Sequence, residues 1–185
     1  MHETAEDIDA LQALLDCSYA AAGTHLRSIT TPERRVHARE LADRLSGVRL
    51  LALATVTGDG RPIVGPVDGI FFRGSFHFGS APDSLRAVHI SARPQVSATH
   101  APGEEFAVTV HGRAVPVDVR AAEGAGFREA LLEVYVPRYG AQWEEFLDRG
   151  VGGPEPARTP LYWRIEARKM FTFKLDARSG ADPAR

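Results

Sequence analysis

The chain holds one cysteine, Cys17, so no intramolecular disulfide can form and no multi-cysteine zinc site can be built. Lysine is nearly missing: among 22 basic residues only Lys169 and Lys174 are lysines, a skew that reads as coding bias before function. Set against 24 acidic residues, the basic ones leave a formal net charge of −2. That balance argues against a dedicated nucleic-acid-binding protein, whose footprint is a clearly basic face. No apolar run approaches the roughly 20 residues that span a bilayer, so no membrane partner is expected. The opening residues are acidic (Glu3, Glu6, Asp7, Asp9), the wrong sign for a secretory signal, and a soluble, cytoplasmic protein is expected. No His-Glu-x-x-His helix, paired cysteines or nucleophile-elbow sequence occurs, so neither a metal nor a catalytic nucleophile is assigned.

What is present is 185 residues, 44% apolar and 25% charged, the length of one domain with a core of its own. Ile8, Leu11, Leu14 and Leu15 recur at helical spacing after an acidic start. Thr31-Pro32-Glu33 then reads as a second helix start, with Thr as N-cap and Pro at the first helical position. Residues 1–47 thus form a helical extension. From Val48 the pattern becomes that of strands. Arg49 to Thr57 is apolar on both alternations, which predicts a strand covered on both faces. Gly58-Asp59-Gly60 is a hairpin turn, and no helix follows it, so it is no phosphate loop. Pro62 and Pro66 place the return strand at an edge or a bulge. A second hairpin turns at Arg73-Gly74-Ser75. Ser80-Ala81-Pro82-Asp83 reads as the capped start of a short helix that ends at Arg93-Pro94. Further strands are predicted from Val96 and over Phe106 to Val119, the latter with even positions inward and a close backbone approach at Gly112.

Phe127, Ala130, Leu131, Val134 and Tyr135 match an amphipathic helix, and Trp143, Phe146 and Leu147 begin another, giving a helical insertion over about 121–150. Gly150 to Pro160 reads as a loop, Leu161 to Leu175 as a final pair of strands split near Arg168-Lys169, and the tail after Ala177 as frayed. The whole is α+β, mainly β: an antiparallel barrel over 48–185 with flanking helices.

Several stretches resemble one family in order and spacing. Leu53-Ala54-Thr55-Val56, Gly58-Asp59-Gly60-Arg61-Pro62 and Gly65-Pro66-Val67-Asp68 resemble the opening hairpin of the pyridoxamine 5′-phosphate oxidase-like, FMN-binding split barrels. Phe76-His77-Phe78-Gly79-Ser80, Ser84-Leu85-Arg86-Ala87 and Arg93-Pro94-Gln95-Val96-Ser97 continue the likeness. Val110-His111-Gly112-Arg113-Ala114 and the run from Arg164 to Phe173 are similar to the family's long and closing strands. The resemblance implies a six-stranded split barrel, a homodimer, and FMN or a deazaflavin bound at the dimer interface. Related barrels bind haem.

Candidate cofactor residues follow. Ser80, Ser84 and Arg86 can hold a phosphate, through a helix N-terminus, hydroxyl donors and a guanidinium fork, and Arg61 is a further candidate cofactor residue. The same segment also reads as an ordinary capped surface helix with an exposed arginine. Thr55 and the return strand, with Val64, Pro66, Val67 and Asp68, would line the ring slot, or form a plain edge strand. Asp68 reads either as a proton donor or, more simply, as a turn residue. Phe173 stands where family members carry an aromatic near the flavin, or it is core. His77, His89, His100 and His111 are scattered and read as hydrogen-bonded or surface residues, with no haem ligand singled out. Two departures argue against oxidation of pyridoxamine phosphate itself: the second strand carries no basic residue beyond the nearby Arg61, and no Arg-x-His pair follows Leu161. The expectation is an FMN- or deazaflavin-dependent oxidoreductase of an unidentified small molecule, or else a non-catalytic FMN- or haem-binding barrel.

Overall fold

A computed structural model describes residues 2–148 and 160–175; the loop predicted from Gly150 to Pro160, apart from Pro160 itself, and the tail after Ala177 lie outside the described residues. Among these residues six strands form: β1 (Val48–Val56), β2 (Pro62–Phe72), β3 (Ser75–Ser80), β4 (Gln95–Gly103), β5 (Phe106–Val117) and β6 (Leu161–Lys174). All pairings are antiparallel, and the strands close as β1-β2-β3-β6-β5-β4. The α+β barrel with flanking helices that the sequence predicts is the observed architecture. Alternation fills it: Leu51 and Leu53 on β1, Phe76 and Phe78 on β3, Val108 and Val110 on β5 and Ile165 on β6 are all buried in one cluster.

The N-terminal helices pack into that cluster. Helix α1 (Ala5–Ala20) opens on a capping box in which Thr4 and Asp7 satisfy each other's backbone N–H. Its Leu11, Leu15 and Tyr19 are buried with the barrel residues. A short α2 (Thr24–Ile29) follows. The helix predicted at Thr31-Pro32-Glu33 is only one 3₁₀ turn, Pro32–Arg34, and α3 (Ala38–Arg44) starts later. The chain must straighten between them because Val36 docks on β6: its N–H donates to Thr172 Oγ1 at 2.8 Å, and its carbonyl accepts from the same hydroxyl at 3.2 Å.

Two further differences have local causes. Ser80 does not start a helix; it ends β3, paired with Leu161, and α4 (Leu85–Ala92) is capped by Ser84, whose Oγ accepts from the Ala87 N–H at 3.1 Å. The closing strand is continuous rather than split. His111 pairs with Lys169 and Gly112 with Ala167, which leaves Arg168 as the extra residue of a β-bulge. A Cβ at Gly112 would collide with the Glu166 carbonyl, so the close approach predicted there is the bulge itself.

The barrel is split because two strands pair over only part of their length. β3 meets β2 only at Gly69–Phe72, so the Pro62–Asp68 half of β2 has a free edge, and both prolines lie on it. β6 meets β3 only at Leu161–Arg164, so its later half is open on one side. There Ser18 Oγ accepts from the Met170 N–H at 3.0 Å and the Tyr19 hydroxyl from the Thr172 N–H at 2.8 Å. Helix α1 thus satisfies an edge that would otherwise expose unpaired donors. The insertion, α5 (Ala125–Tyr139) and α6 (Gln142–Asp148), builds a second small core over Ile70, Phe72 and Tyr162. No helix among the described residues is long and apolar enough to cross a membrane.

Candidate functional site

The outward face of β1 and β2 is where the site takes shape. Both alternations of β1 are apolar, yet only Leu51, Leu53 and Thr55 are buried; Leu50 is 62% exposed and Ala52 is exposed beside it. Across the hairpin, Pro66 faces Ala52 and Asp68 faces Leu50. Val64, Pro66 and Asp68 alternate outward, and Val64 is 64% exposed. Leu50, Ala52, Val64 and Pro66, with Gly65, Thr99 and Ala101, line a shallow cleft of about 330 Å³, and Asp68 lies outside that lining. That is the small end of the range for ligand sites, about 300–1,000 Å³. The second covering expected on β1 is therefore not supplied by this chain's own described residues.

A polar cluster sits at the free edge of β2. Arg86, in the first turn of α4, donates from Nη2 to the Pro66 carbonyl at 2.9 Å and from Nη1 to Ser80 Oγ at 3.3 Å. Ser80 Oγ lies 2.8 Å from Ser84 Oγ. Gly65 leaves room for the guanidinium: a Cβ there would stand 3.2 Å from Arg86 Nη2. Partial burial lowers the Arg86 pKa from its ordinary value, which marks a cation with part of its water removed. The three residues predicted to hold a phosphate are thus brought together, and Pro66 with them. Nothing sequential shows this: Arg86 and Pro66 are far apart in the chain and meet because β2 lacks a neighbour there.

The other predicted residues divide. Val64 and Pro66 line the cleft, and Asp68 stands beside Leu50 on the same face, inside β2 rather than at a turn. Val67 faces inward and is buried. Thr55 is 3% exposed, facing the interior, and its hydroxyl hydrogen-bonds the His89 ring at 3.0 Å, so its side chain does not line a slot on the outer face. Arg61 belongs to the β1–β2 turn, exposed and paired with Asp59 at 2.8 Å. Phe173 is not brought to the cluster: it pairs with Ala107 on β5, and Arg34 lies over its ring at 5.8 Å. Leu50, Ala52, Thr99 and Ala101 line the cleft without having been singled out. The signal for the first two was the excess apolar alternation of β1.

The four barrel histidines each hold a hydrogen bond. His77 is buried against Phe127, 4.3 Å between ring centres; its Nδ1 donates to the Ser75 carbonyl, and burial pushes its pKa down to about 4. His100 Nδ1 donates to the Leu50 carbonyl at 2.9 Å, and His111 hydrogen-bonds Ser97 Oγ at 2.8 Å. His89 holds Thr55. None of them lines the cleft. Among the described residues no group of three or more His, Cys, Asp and Glu is placed to hold a metal ion.

A partly paired six-stranded antiparallel barrel, with a helix start folded against a free strand edge, defines the split-barrel class. The sequence matches the pyridoxamine 5′-phosphate oxidase family over residues 38–159, about two thirds of the chain, and the chain belongs to that family. No curated protein matches it in sequence. It is similar to the solved structure of a conserved hypothetical protein from Mycobacterium tuberculosis, at 19% identity and TM-score 0.61, over 83% of this chain and 98% of that one. The heme storage protein HutZ from Vibrio cholerae is similar at 17% identity and TM-score 0.53, over 74% and 91%. PhzG from Burkholderia lata, solved with tetrahydrophenazine-1-carboxylic acid, is similar at 21% identity and TM-score 0.50, over 76% of each chain. At these identities the likeness shows the fold alone.

Proposed function

We propose that this protein is an oxidoreductase that uses FMN or a deazaflavin, held on the outward face of β1 and β2 in a homodimer, to act on a small molecule. The observation that carries the reading is the convergence of Arg86, Ser80 and Ser84 at the free edge of β2, at the rim of an apolar cleft. A half-desolvated guanidinium beside two hydroxyls is a donor set that fits a phosphate. Both cofactors carry one.

In this reading Arg86 grips the phosphate through its planar fork and Ser80 and Ser84 add hydroxyl donors. Ser84 also keeps α4 capped, which fixes the direction of Arg86. Leu50, Ala52 and Val64 give the ring an apolar floor and keep water from it. The bound cofactor supplies the hydride chemistry. Asp68, at the rim of that floor, orients the substrate. Pyridoxamine phosphate is not the proposed substrate, since Arg61 is spent on Asp59 and β2 offers no further cation.

The homodimer is supported by where apolar surface is left open. Among the described residues, five of the eight exposed large hydrophobic ones are Leu50, Ile63, Val64, Leu85 and Val88, on β1, β2 and the helix that Arg86 ties to β2. An apolar patch of that kind marks an interface. A second reading, a non-catalytic binder of FMN or haem, draws on the lack of an acid or base among the cleft-lining residues.

The test is titration of the purified protein with FMN, deazaflavin and haemin, followed by absorbance. Tight binding of FMN or deazaflavin is expected. Arg86→Ala should weaken it by roughly 10- to 150-fold, the equivalent of about 1.5–3 kcal/mol for a hydrogen bond to a charged group. Reduction of the bound flavin by NADPH, or turnover with reduced deazaflavin, separates enzyme from binder. Binding of haemin alone, or unchanged affinity in Arg86→Ala, would overturn the proposal.

A further inference from the structure

Helix α5 runs antiparallel over the outer face of β2, and two contacts fix its travel. Near its start, the Phe127 ring lies 5.8 Å from that of Phe72, and Gly126 lets it sit close. Two turns later the Tyr135 hydroxyl donates to Asp68 Oδ2 at 3.4 Å. Eight residues of helix advance about 12 Å, and the four strand residues from Phe72 back to Asp68 span about 13 Å. The two elements therefore keep step. One more turn, past Pro137, carries the helix to Tyr139, whose ring lies 5.9 Å from that of Tyr135. There the helix ends: Gly140, at φ 84°, turns the chain into α6.

This end of the helix is built from stacked rings. Trp143 lies 4.6 Å from Tyr135 and 5.4 Å from Tyr139, Tyr135 and Tyr139 are 5.9 Å apart, and their planes are tilted by 24–31°. Tyr139 is 50% exposed, so the stack reaches solvent at this residue. On the same rim Asp68 is exposed, at the point where the outer face of β2 passes from open (Val64, Pro66) to covered (Ile70). Burial first, and then the Asp68 charge, raise the Tyr135 pKa, so the phenol stays a neutral donor to the carboxylate. An anionic group near a solvent-accessible aromatic ring attracts cations and N–H donors carried on flat rings.

We propose that Asp68 and Tyr139, backed by Tyr135 and Trp143, form a recognition site for a planar, positively charged heteroaromatic ring at the insertion end of the cleft. As the substrate's site, it rests on the cofactor reading above. The ring stacks on Tyr139 and its charge is met by Asp68; the Tyr135 hydroxyl fixes the carboxylate.

The experiment uses the full chain, with and without saturating FMN. Binding of 1-methylnicotinamide, a flat cation, is compared with that of nicotinamide, its neutral counterpart, by calorimetry and by quenching of tryptophan fluorescence in a Trp163→Phe background, which leaves Trp143 as the reporter. The cation should bind at least ten-fold tighter. Asp68→Asn keeps an acceptor for Tyr135 and should abolish that preference. Tyr139→Ala should weaken both ligands at least five-fold, with far-UV circular dichroism unchanged. Arg86→Ala should bind FMN at least ten-fold more weakly yet keep the preference for the cation. Equal binding of the two ligands by the native protein, or a preference that survives Asp68→Asn, would overturn the proposal. A protein that prefers the cation but binds no FMN would sink the cofactor reading and leave this site standing.

Discussion

Arg86 and His77 show how placement sets a residue's chemistry. Arg86 is only partly buried and keeps its charge, held by neutral oxygens at a strand edge that has a carbonyl to spare. His77 is deep under Phe127 and is kept neutral. Its pKa in the folded state lies at about 4, below the ordinary 6.5, so the unfolded chain binds the extra proton first as the pH falls. Stability conferred by His77 is then complete above pH 6.5 and is lost as the pH falls towards 4, by roughly 3 kcal/mol in all. Denaturant midpoints measured from pH 7 to pH 4 should show that loss, and His77→Phe should flatten the profile. An unchanged slope in the variant would show that other groups carry the acid sensitivity.

At the scale of the element, the open half of β6 is the point of dependence. Tyr19 accepts from the Thr172 N–H and donates to the Thr172 carbonyl at 2.9 Å, with Arg35 stacked over its ring at 4.2 Å. Tyr19→Phe keeps the ring but leaves a buried N–H unpaired, a cost of about 1–3 kcal/mol. For a chain of this size each kcal/mol lowers Tm by about 2–4 °C. The bulge on the other side of β6 gives a second test: Gly112→Ala should cost about 1–3 kcal/mol, because the new methyl must push the Glu166 carbonyl away. Thermal melts of the two variants check both. These devices explain what could and could not be read from the chain. The hairpins and the inward alternation of β5 are local patterns, and they are where expected. Arg168 lies outside any local pattern, because a bulge is a property of two strands and only Gly112 hints at it. The helix expected at Thr31 has a sound local start, but Val36 is pulled straight by Thr172, far away in sequence.

At the scale of the molecule, the same contrast governs the candidate site. Ser80, Ser84 and Arg86 were legible because a phosphate site is carried by donor-rich side chains close in sequence. The cleft floor was legible only as an excess of apolar residues on β1. The pairing of Tyr135 with Asp68 was not legible, since it depends on how the insertion lies over β2. In the proposed homodimer the exposed patch of Leu50, Val64, Leu85 and Val88 is the contact. Val64→Lys, a charge set on that patch, should convert the dimer to a monomer in analytical ultracentrifugation and weaken FMN binding at least ten-fold, with the barrel intact by circular dichroism. A native protein that sediments as a monomer at micromolar concentration would refute the shared site.

The central claim is that Arg86, Ser80 and Ser84 grip a flavin by its phosphate, and the direct measurement is calorimetric affinity for FMN against riboflavin, which lacks only that phosphate. The account predicts that the native protein binds FMN at least ten-fold tighter than riboflavin and that Arg86→Ala brings the two to equality. Equal affinity for both in the native protein, or a preference for FMN that persists without Arg86, would contradict it.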